Sequence, residues 1–450
     1  MIYDPTRTAS EHDGAVQETV GLGLMIAHHA TDKFLGSTCP LTPGESLVLG
    51  RGGGHFPPTA LDDDRVSRRH ATVTLDKTQL RLQDLDSRNG TFLNGRRVES
   101  ATLKLGDVIG IGKVLLLVSA IDPKHNHVGH PNLLGRSLAL SRTLALIGRV
   151  AELDVTVLVL GESGVGKELI AKEIHAASGR SGKLVAVNCA AMSEGVISSE
   201  LFGHVRGAFS SADASRAGLV EEARAGTLFL DEIGDASSSL QASLLRLLQE
   251  REARPVGADR TVKVDIRFVA ATNRPLAQDV RDGRFREDLY ARLSRCVVPI
   301  PPLRERREDI LPLAHHFAEK VAGTGRPFHH RLASALLCHD WPGNVRSLQS
   351  TIERLVHDSG SPGPLSVPGW LDEEFSQHAR HSAPASGIDD TTLPEVAVRP
   401  RARISARDLR RLLREHGGNI TAVASVLEVT RNTVYRWIKK FEINLDTLRR

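Results

Sequence analysis

The sequence is poor in cysteine, in aromatic residues and in long hydrophobic runs. Its 450 residues include only four cysteines, too scattered for a disulfide framework or a zinc ribbon, which indicates a reducing compartment. The longest apolar runs, such as Val114–Val118 and Val157–Leu160, are far shorter than the roughly 20 residues that cross a bilayer. The N-terminus lacks the basic start and apolar core of a secretory signal. These absences argue against a secreted or membrane protein and predict one that stays in the cytoplasm.

Charge is distributed unevenly along the chain. Hydrophobic residues make up 40% and charged residues 25%, as expected for folded domains. Residues 401–450 contain 12 Lys and Arg against 5 Asp and Glu, which leaves 46 basic and 49 acidic residues in the rest. A basic C-terminal segment next to a slightly acidic body indicates a nucleic-acid partner for that segment.

Two stretches rich in small and turn-forming residues divide the chain. They are residues 122–131 and 359–402, which we interpret as linkers. The predicted organisation is a flexible leader (1–22), a first domain (23–121), a central domain (132–358) and a C-terminal domain (403–450).

Hydrophobic periodicity predicts a different fold class for each block. The first block alternates apolar and polar residues, as at Ala71, Val73 and Leu75, and Asn94-Gly95 predicts a tight hairpin, so we expect a β-sandwich. The central block alternates β-rich runs with helical segments, which predicts an α/β domain around a mostly parallel sheet. The last block is predicted to be all-helical.

The segment VLVLGESGVGKE predicts a nucleotide-binding loop. An apolar strand runs into glycines that let backbone N–H groups surround phosphates, and Lys167 can reach the terminal phosphates of ATP. Glu168 stands where the common motif has a magnesium-binding Ser or Thr. The predicted nucleotide-binding residues in this loop are Gly161, Glu162, Ser163, Gly164, Val165, Gly166, Lys167 and Glu168.

Two acids follow a second buried strand, in GTLFLDEIGD. Ligands of open α/β sheets bind at the carboxyl ends of strands, so we expect Asp231 to hold Mg²⁺ through water and Glu232 to polarise the attacking water. A solvated strand end is the alternative interpretation.

The central block resembles the AAA+ domain of bacterial sigma-54-dependent transcription activators. The strings that carry the resemblance are GESGVGKE, VNCAA, LFGHVRGAFSSA, GTLFLDEIGD, ATNRPL, FREDLYARL and WPGNVRSL, in family order. The resemblance implies an ATP-driven ring, usually a hexamer, that remodels the closed promoter complex of sigma-54 RNA polymerase. It also implies site roles: Asn188 is the switch that positions Glu232, Asn273 the γ-phosphate sensor, Arg286 and Arg292 the fingers into the neighbouring subunit, and Arg346 the second sensor. Surface pairing with Glu287 or Asp288 is the alternative for the two finger arginines.

The loop that contacts sigma-54 in this family reads GAFTGA, whereas this chain departs from it. The predicted contact residues are Gly207, Ala208, Phe209, Ser210, Ser211 and Ala212. Phe209 is the predicted anchor, because an aromatic residue at a loop tip is costly to expose without a partner. Ser211 restricts the backbone if its position needs positive φ. An ordinary turn with Phe209 packed inward remains the alternative.

Three strings stand out in the first block, namely SLVLGRG, DDDRVSRRHATV and DLDSRNGTFLNGRRV. Their resemblance is to a forkhead-associated (FHA) domain, a β-sandwich that binds phosphothreonine peptides. By position it implies peptide contacts from Arg51, Ser67, Arg68, Arg88 and Asn89, with His70 and Asn94 bracing the loops. A plain turn at Asn89 and a core role for His70 are the structural alternatives. The implied partner is a phosphothreonine protein or a Ser/Thr kinase, and phosphorylated Thr8 or Thr19 of the leader is a candidate ligand.

The string GGNITAVASVLEVTRNTVYRWIKKF in the C-terminal block predicts two helices, and the last presents hydrogen-bond donors to phosphates and base edges. This string resembles a Fis-type helix-turn-helix domain, which implies binding to upstream DNA. The predicted DNA-contacting residues are Arg431, Asn432, Thr433, Tyr435, Arg436 and Lys439. A basic solvated helical hairpin is the alternative.

Together these patterns and the family resemblances imply a phosphothreonine-gated, ATP-hydrolysing activator of sigma-54 RNA polymerase that binds upstream enhancer DNA and requires ATP and Mg²⁺. Two alternatives stay open at this point. One is a DNA-binding regulator whose ATPase does not remodel sigma-54, because the contact loop reads GAFSSA. The other is a general AAA+ chaperone.

Overall fold

The computed structural model describes residues 20–76, 79–122, 132–191, 194–208, 214–360 and 363–371, together with Leu413. The chain divides into two compact units, Met1–Ala383 and Pro384–Arg450. Apart from the buried Leu413, the described residues belong to the first unit. The six predicted DNA-contacting residues lie outside the described residues.

The described N-terminal residues form an antiparallel β-sandwich. Its strands are β1 (Gly21–His28), β2 (Thr38–Pro40), β3 (Ser46–Leu49), β4 (Ala71–Asp76), β5 (Gln79–Asp84), β6 (Thr91–Leu93), β7 (Arg96–Val98), β8 (Ser100–Leu103), β9 (Val108–Ile111) and β10 (Val114–Ile121). Within these residues one sheet has the order β2-β1-β10-β9-β6-β7 and the other the order β3-β4-β5-β8. The predicted sandwich is therefore confirmed.

Local sequence explains this architecture. Ala71 and Val73 on β4 are fully buried, as the alternation predicts. Asn94 and Gly95 connect β6 to β7 with φ of 49° and 77°, the positive values that a two-residue hairpin turn requires.

The described central residues form an α/β domain. Its strands are β11 (Val157–Leu160), β12 (Leu184–Asn188), β13 (Gly203–His204), β14 (Arg216–Ala217), β15 (Thr227–Asp231), β16 (Glu252–Ala253), β17 (Val262–Lys263), β18 (Arg267–Thr272) and β19 (Cys296–Pro299). Its helices are α1 (Leu138–Ala151), α2 (Lys167–Ala177), α3 (Glu194–Phe202), α4 (Leu219–Glu222), α5 (Ser238–Glu250), α6 (Leu276–Arg281) and α7 (Glu287–Leu293).

The main sheet of this domain is parallel, with the order β12-β15-β18-β11-β19 in the described residues. Neighbouring residues of one strand enter separate apolar cores. Leu158 and Leu228 lie in one core, and Val157 and Phe229 lie in another. Burial on both faces explains why these strands read as continuous apolar runs and not as alternating ones. The predicted parallel α/β sheet is confirmed.

A helical lid follows the sheet. It consists of α8 (Ile310–Ala322), α9 (His330–Cys338) and α10 (Asn344–Asp358), preceded by the short 3-10 helices Leu303–Glu305 and Arg307–Asp309. Trp341 is 1% exposed in the lid core, and its indole Nε1 donates a hydrogen bond to the Leu336 carbonyl at 2.9 Å.

The β-sandwich and the lid share an apolar core. Leu115 and Leu117 of β10 join the lid core, whereas Leu116 and Val118 enter the interior of the sandwich. The continuous apolar run Val114–Val118 is the sequence signal for this second buried face.

Candidate active site and candidate phosphopeptide site

The phosphate loop lies between β11 and α2. Gly164 and Gly166 have φ of 77° and 106°, in the left-handed region that favours glycine. A Cβ on Gly164 would lie 2.3 Å from the Gly343 carbonyl oxygen of the lid. Lys167, only 7% exposed, donates to the carbonyls of Gly161 at 3.2 Å and Glu162 at 3.4 Å. A loop of this shape, with a cation held at its mouth, fits a polyphosphate.

The two acids lie at the carboxyl end of β15. The Glu232 amide donates to Asp231 Oδ1 at 3.0 Å, and Glu232 Oε1 lies 3.5 Å from Lys167 Nζ. Glu232 Oε2 is buried and has no hydrogen-bond partner among the described residues. A buried carboxylate oxygen without a partner, beside the phosphate loop, fits a group that meets the substrate or its attacking water.

The predicted switch and sensor stand at the ends of β12 and β18, the two strands that flank β15. Asn188 ends β12 directly opposite Asp231, and exposed Asn273 follows β18. The Thr272 carbonyl accepts from the Gly161 amide at 3.2 Å, which joins the sensor strand to the phosphate loop. Asn188 Oδ1 accepts from the Ala190 amide at 2.9 Å. Glu232 is thus paired with Lys167, and the amide oxygen of Asn188 faces its own loop.

The two predicted finger arginines differ in their contacts. Arg286 precedes α7, and its Nε and Nη2 donate to Asp288 at 3.0 and 2.8 Å. Both side chains are about half exposed, so this pair adds little stability. The half-buried side chain of Arg292 makes no hydrogen bond or ion pair within the part of the chain that the structure describes. The pairing with Asp288 offered as the alternative for Arg286 is present in the structure.

The lid is attached to the phosphate loop by several side chains. Arg346 Nη1 donates to Ser163 Oγ at 3.3 Å. Arg304 donates to both carboxylate oxygens of Glu162 at 2.9 and 2.6 Å, and these hydrogen bonds lower the pKa of Glu162. Asn344 Nδ2 donates to Glu162 Oε2 and to the Ser163 carbonyl, both at 3.0 Å. Glu162 is thus engaged with the lid.

Sequence reasoning missed Arg304 and Asn344 as residues that attach the lid. Two sequence strings could have indicated them. PPLRERRED is rich in arginine and contains Arg304, and WPGNV places the amide of Asn344 at the start of a helix. Glu168, in contrast, pairs with Lys172 at 2.8 Å on an exposed helix face.

Only the start of the predicted sigma-54 loop is described. Gly207, with φ of 81°, and Ala208 follow β13, which pairs with β14 on the far side of the loop. Phe209, Ser210, Ser211 and Ala212 lie outside the described residues.

The predicted phosphopeptide residues meet at one end of the sandwich. The Arg51 amide donates to the Ser67 carbonyl at 3.0 Å, and Ser67 Oγ accepts from the Arg88 amide at 3.2 Å. Asn89 Nδ2 donates to the Arg65 carbonyl at 2.7 Å. The side chains of Arg51, Arg68 and Arg88 are exposed at these loops. The arrangement presents three guanidinium groups to an anionic ligand.

His70 and Asn94 lie beneath these loops. His70 is fully buried, and its Nδ1 accepts from the Ser67 amide at 3.0 Å. Its Nε2 must therefore carry the proton donated to the Gly90 carbonyl at 3.2 Å, which defines a neutral tautomer. Asn94 Oδ1 accepts from the Val108 amide at 2.9 Å. Both side chains connect loops, and His70 is also a core residue.

Four family models match the chain. They are described as "Sigma-54 interaction domain" (residues 133–299), "FHA domain" (47–112), "AAA+ ATPase lid domain" (304–385) and "Homeodomain-like domain" (409–449).

Several known proteins are similar to the chain. Transcriptional regulatory protein ZraR of Klebsiella oxytoca is 44% identical over 313 residues, covering 67% of each chain. The Nif-specific regulatory protein of Klebsiella pneumoniae is 45% identical over 280 residues, covering 56% of this chain and 53% of that protein. Among solved structures, NtrX from Brucella abortus in complex with ATP has 30% sequence identity and a TM-score of 0.49, covering 70% of each chain.

The fold and the site define a P-loop ATPase of the AAA+ class that carries an FHA domain. The chain belongs to the family of bacterial sigma-54-dependent transcriptional activators. The predicted family, fold class and ATPase activity are thereby confirmed. No helix among the described residues combines the length and the apolar character that a membrane crossing needs.

Proposed function

We propose that this activator hydrolyses ATP at a site shared between neighbouring copies in an oligomer, which the family resemblance implies is a hexamer, and that phosphothreonine recognition controls this activity. The observation that carries the proposal is the meeting of Lys167, Asp231, Glu232 and Asn273 at the carboxyl edge of one parallel sheet, beside the phosphate loop.

Each side chain at this edge has a role that its position supports. Lys167 binds the terminal phosphates, and Glu232 orients the attacking water and accepts its proton. Asp231 would hold Mg²⁺ through water, and the metal would neutralise charge on the phosphates. Glu168 pairs with Lys172, which leaves the metal contact to Asp231.

The remaining predicted groups respond to the nucleotide. Asn273 follows the strand next to the phosphate loop and senses the γ-phosphate, and Arg346 senses it from the lid. Asn188 stands opposite Asp231, where its amide can contact Glu232 once Lys167 turns from Glu232 to phosphate.

Arg286 and Arg292 act on the neighbouring copy. An arginine supplied in trans stabilises the charge that develops during phosphoryl transfer, so hydrolysis depends on assembly. Arg286 must exchange its Asp288 partner for phosphate oxygens in this step.

The outer domains supply control and location. The FHA loops bind a phosphothreonine peptide through Arg51, Ser67 and Arg88, and the C-terminal domain (403–450) holds the assembly on upstream DNA. The loop that begins at Gly207 contacts sigma-54. We also propose the following limits: a leader (1–22), the FHA domain (23–121), the AAA+ domain (132–358) and the DNA-binding domain (403–450), with linkers at 122–131 and 359–402.

Open-complex formation tests the proposed activity. The full-length chain is added to sigma-54 RNA polymerase on a sigma-54 promoter, with ATP or a non-hydrolysable analogue. Its concentration is high enough for it to act without an upstream DNA-binding site. We expect DNA opening with ATP only, and none from the Arg292→Ala variant. ATP hydrolysis and DNA binding without opening would contradict the proposal and support the non-remodelling regulator.

A peptide-binding assay tests the proposed control. The probes are synthetic peptides of residues 1–22 with Thr8 or Thr19 phosphorylated, and the unmodified peptide. We expect the chain to prefer a phosphorylated form, and Arg51→Ala to weaken binding roughly tenfold or more, because it removes charged hydrogen bonds. Arg81→Ala, on an exposed strand away from these loops, is the matched control. If neither leader peptide binds, a phosphothreonine peptide library decides between another ligand and no phosphopeptide function.

A further inference from the structure

The outer face of the six-stranded sheet is buried against the AAA+ lid. This docking face consists of Met25, Val108, Leu115 and Leu117, each at most 4% exposed. All four belong to one apolar cluster with lid residues, among them Leu311, Ala314, Leu336 and Leu337. An antiparallel sheet ordinarily leaves one face to solvent, so a face this apolar needs a partner, and here the partner is the lid of the same chain.

The contact is polar at one edge. Arg307 Nη1 donates to the Gly106 carbonyl at 3.2 Å. Gly106 lies in the turn before β9 with φ of 87°. Its carbonyl therefore fixes the lid relative to the strand that begins at Val108.

Arg307 belongs to a short junction segment, Leu303–Asp309, that touches three parts of the molecule. Towards the phosphate loop, Arg304 binds Glu162, and Arg306 Nη2 donates to the Val165 carbonyl at 2.9 Å. Towards α1, buried Asp309 accepts from the Ser137 amide at 2.8 Å and from its hydroxyl at 2.7 Å.

The junction segment is short and well connected. Two consecutive 3-10 turns leave it little freedom, so a displacement at Arg307 is transmitted to Arg304 and Arg306, which lie three residues or fewer away along the chain.

The docking face is also connected to the peptide loops. β6 begins directly after Asn89-Gly90 and pairs with β9 from Thr91 to Leu93. Asn94 Oδ1 accepts from the Val108 amide, and Asn94 Nδ2 donates to Asp107 at 2.8 Å. The peptide loops are thus connected through β6 and the side chain of Asn94 to Val108, which contacts the lid.

We propose that the docking face is the output surface of the FHA domain: by packing on the lid it holds the junction segment against the phosphate loop and so strengthens nucleotide binding. Peptide binding at the loops then changes nucleotide affinity through Val108 and Arg307. The inference rests on the nucleotide site under "Proposed function" and adds the route by which the FHA domain reaches it.

Two variants of the full-length chain test the route. Leu117→Asp places a charge in the docking face, and Arg307→Ala removes the bond to Gly106. Because Arg307 also lies 3.5 Å from Asp340, Asp340→Asn is the matched control that removes that ion pair and keeps the bond to Gly106. Arg81→Ala is the control for the sandwich.

The measurements are hydrogen exchange in α9 and the affinity for a fluorescent non-hydrolysable ATP analogue. We expect both docking variants to exchange faster in α9 and to bind the analogue about fivefold or more weakly, the lower end of the usual coupling between sites. Both controls should match the unmodified chain.

Four outcomes are informative. Unchanged exchange in α9 shows that the face is not docked, and faster exchange with unchanged affinity shows that docking does not act on the nucleotide; either overturns the inference. If Leu117→Asp abolishes protection in β4 and β5, the sandwich has unfolded and Arg307→Ala decides. Absence of analogue binding by the unmodified chain would instead contradict the nucleotide site itself.

Discussion

At the scale of single residues, Glu232 combines backbone strain with an unsatisfied carboxylate. Its φ of 49° lies in the left-handed region, which costs about 1–2 kcal/mol for a residue with a Cβ. One of its oxygens is buried without a partner among the described residues. Strain of this kind persists where the surrounding structure enforces it, as it does at catalytic groups.

Substitution of Glu232 separates its chemical role from its strain. Glu232→Ala and Glu232→Gly should both keep nucleotide binding, since Lys167 and Asp231 remain, and both should lose turnover by about 10²–10⁴. The glycine variant should be more stable than the alanine variant by about 1 kcal/mol, because glycine adopts positive φ without strain.

Phosphate release, analogue binding and thermal unfolding measure these three quantities. Hydrolysis at the unmodified rate by either variant would rule out Glu232 as the base. Equal unfolding temperatures of the two variants would rule out the strain.

Motifs predicted which residues stand at the active-site edge, because strand ends determine that position. Apart from the pairing of Arg286 with Asp288, which was offered as an alternative, they did not predict hydrogen-bond partners. Asn188 contacts Ala190 and Glu162 contacts Arg304, and each pairing depends on a rotamer that only the folded neighbours select.

At the scale of elements, a charge cluster connects the sensor strand to the start of α7. Asp279 of α6 is 2% exposed and accepts from Arg274 Nε at 2.9 Å and from Arg284 Nη2 at 2.6 Å. Arg274 also donates to Asp235 at 2.9 Å. The hydrogen bonds from Arg274 are the largest cause of a lowered pKa at Asp279. Asn273 and Arg286 flank the two arginines in sequence.

Asp279→Asn should therefore disturb both ends of the cluster. We expect a loss of about 1–3 kcal/mol in the free energy of unfolding, because two partly exposed arginines lose a charged acceptor. We also expect lower ATP turnover, since Arg286 and Arg292, the proposed finger arginines, are displaced while the phosphate loop stays intact.

Mixed assemblies show whether Asp279 supports the active site of its own subunit or the arginines donated to the neighbouring subunit. Subunits with Lys167→Ala lack the phosphate contact but still donate finger arginines, so mixing them with Asp279→Asn subunits should restore hydrolysis. An Arg292→Ala and Lys167→Ala mixture is the positive control. If the control mixture recovers hydrolysis and the mixture with Asp279→Asn does not, Asp279 supports the active site of its own subunit.

Hydrophobic periodicity predicted the strands of the sandwich better than the contacts that these strands make with the rest of the protein. Alternation at Ala71 and Val73 indicates one buried face and one polar face, and the structure agrees. Val114–Val118 has no such alternation, and an unbroken run is compatible with a parallel strand, a buried helix or an interface. The partner for its second face lies about 200 residues away in sequence, where local periodicity carries no information.

At the scale of the whole molecule, histidines gather where the sandwich meets the lid. His28 ends β1 and is 9% exposed, and the charges that act on it come from His29 of the sandwich and from His315, His329 and His330 of the lid. Burial, followed by these histidines, lowers the pKa of His28 from 6.5 to about 4. The docked state therefore holds His28 neutral across a pH range in which an exposed histidine takes up a proton.

This difference predicts that docking weakens in acid. Above pH 6.5 His28 is neutral in both states and contributes no pH dependence. As the pH falls from 6.5 towards 4, the undocked state binds a proton that the docked state does not, so the docked state loses stability over that interval. Hydrogen exchange in β10 of the full-length chain, with labelling times scaled for the intrinsic pH dependence of exchange, should rise more steeply below pH 6.5 than exchange in β4. His28→Gln should reduce this acid-dependent rise, whereas the exposed-site control His55→Gln should retain it. An identical pH profile for the unmodified chain and His28→Gln would assign the effect to other groups.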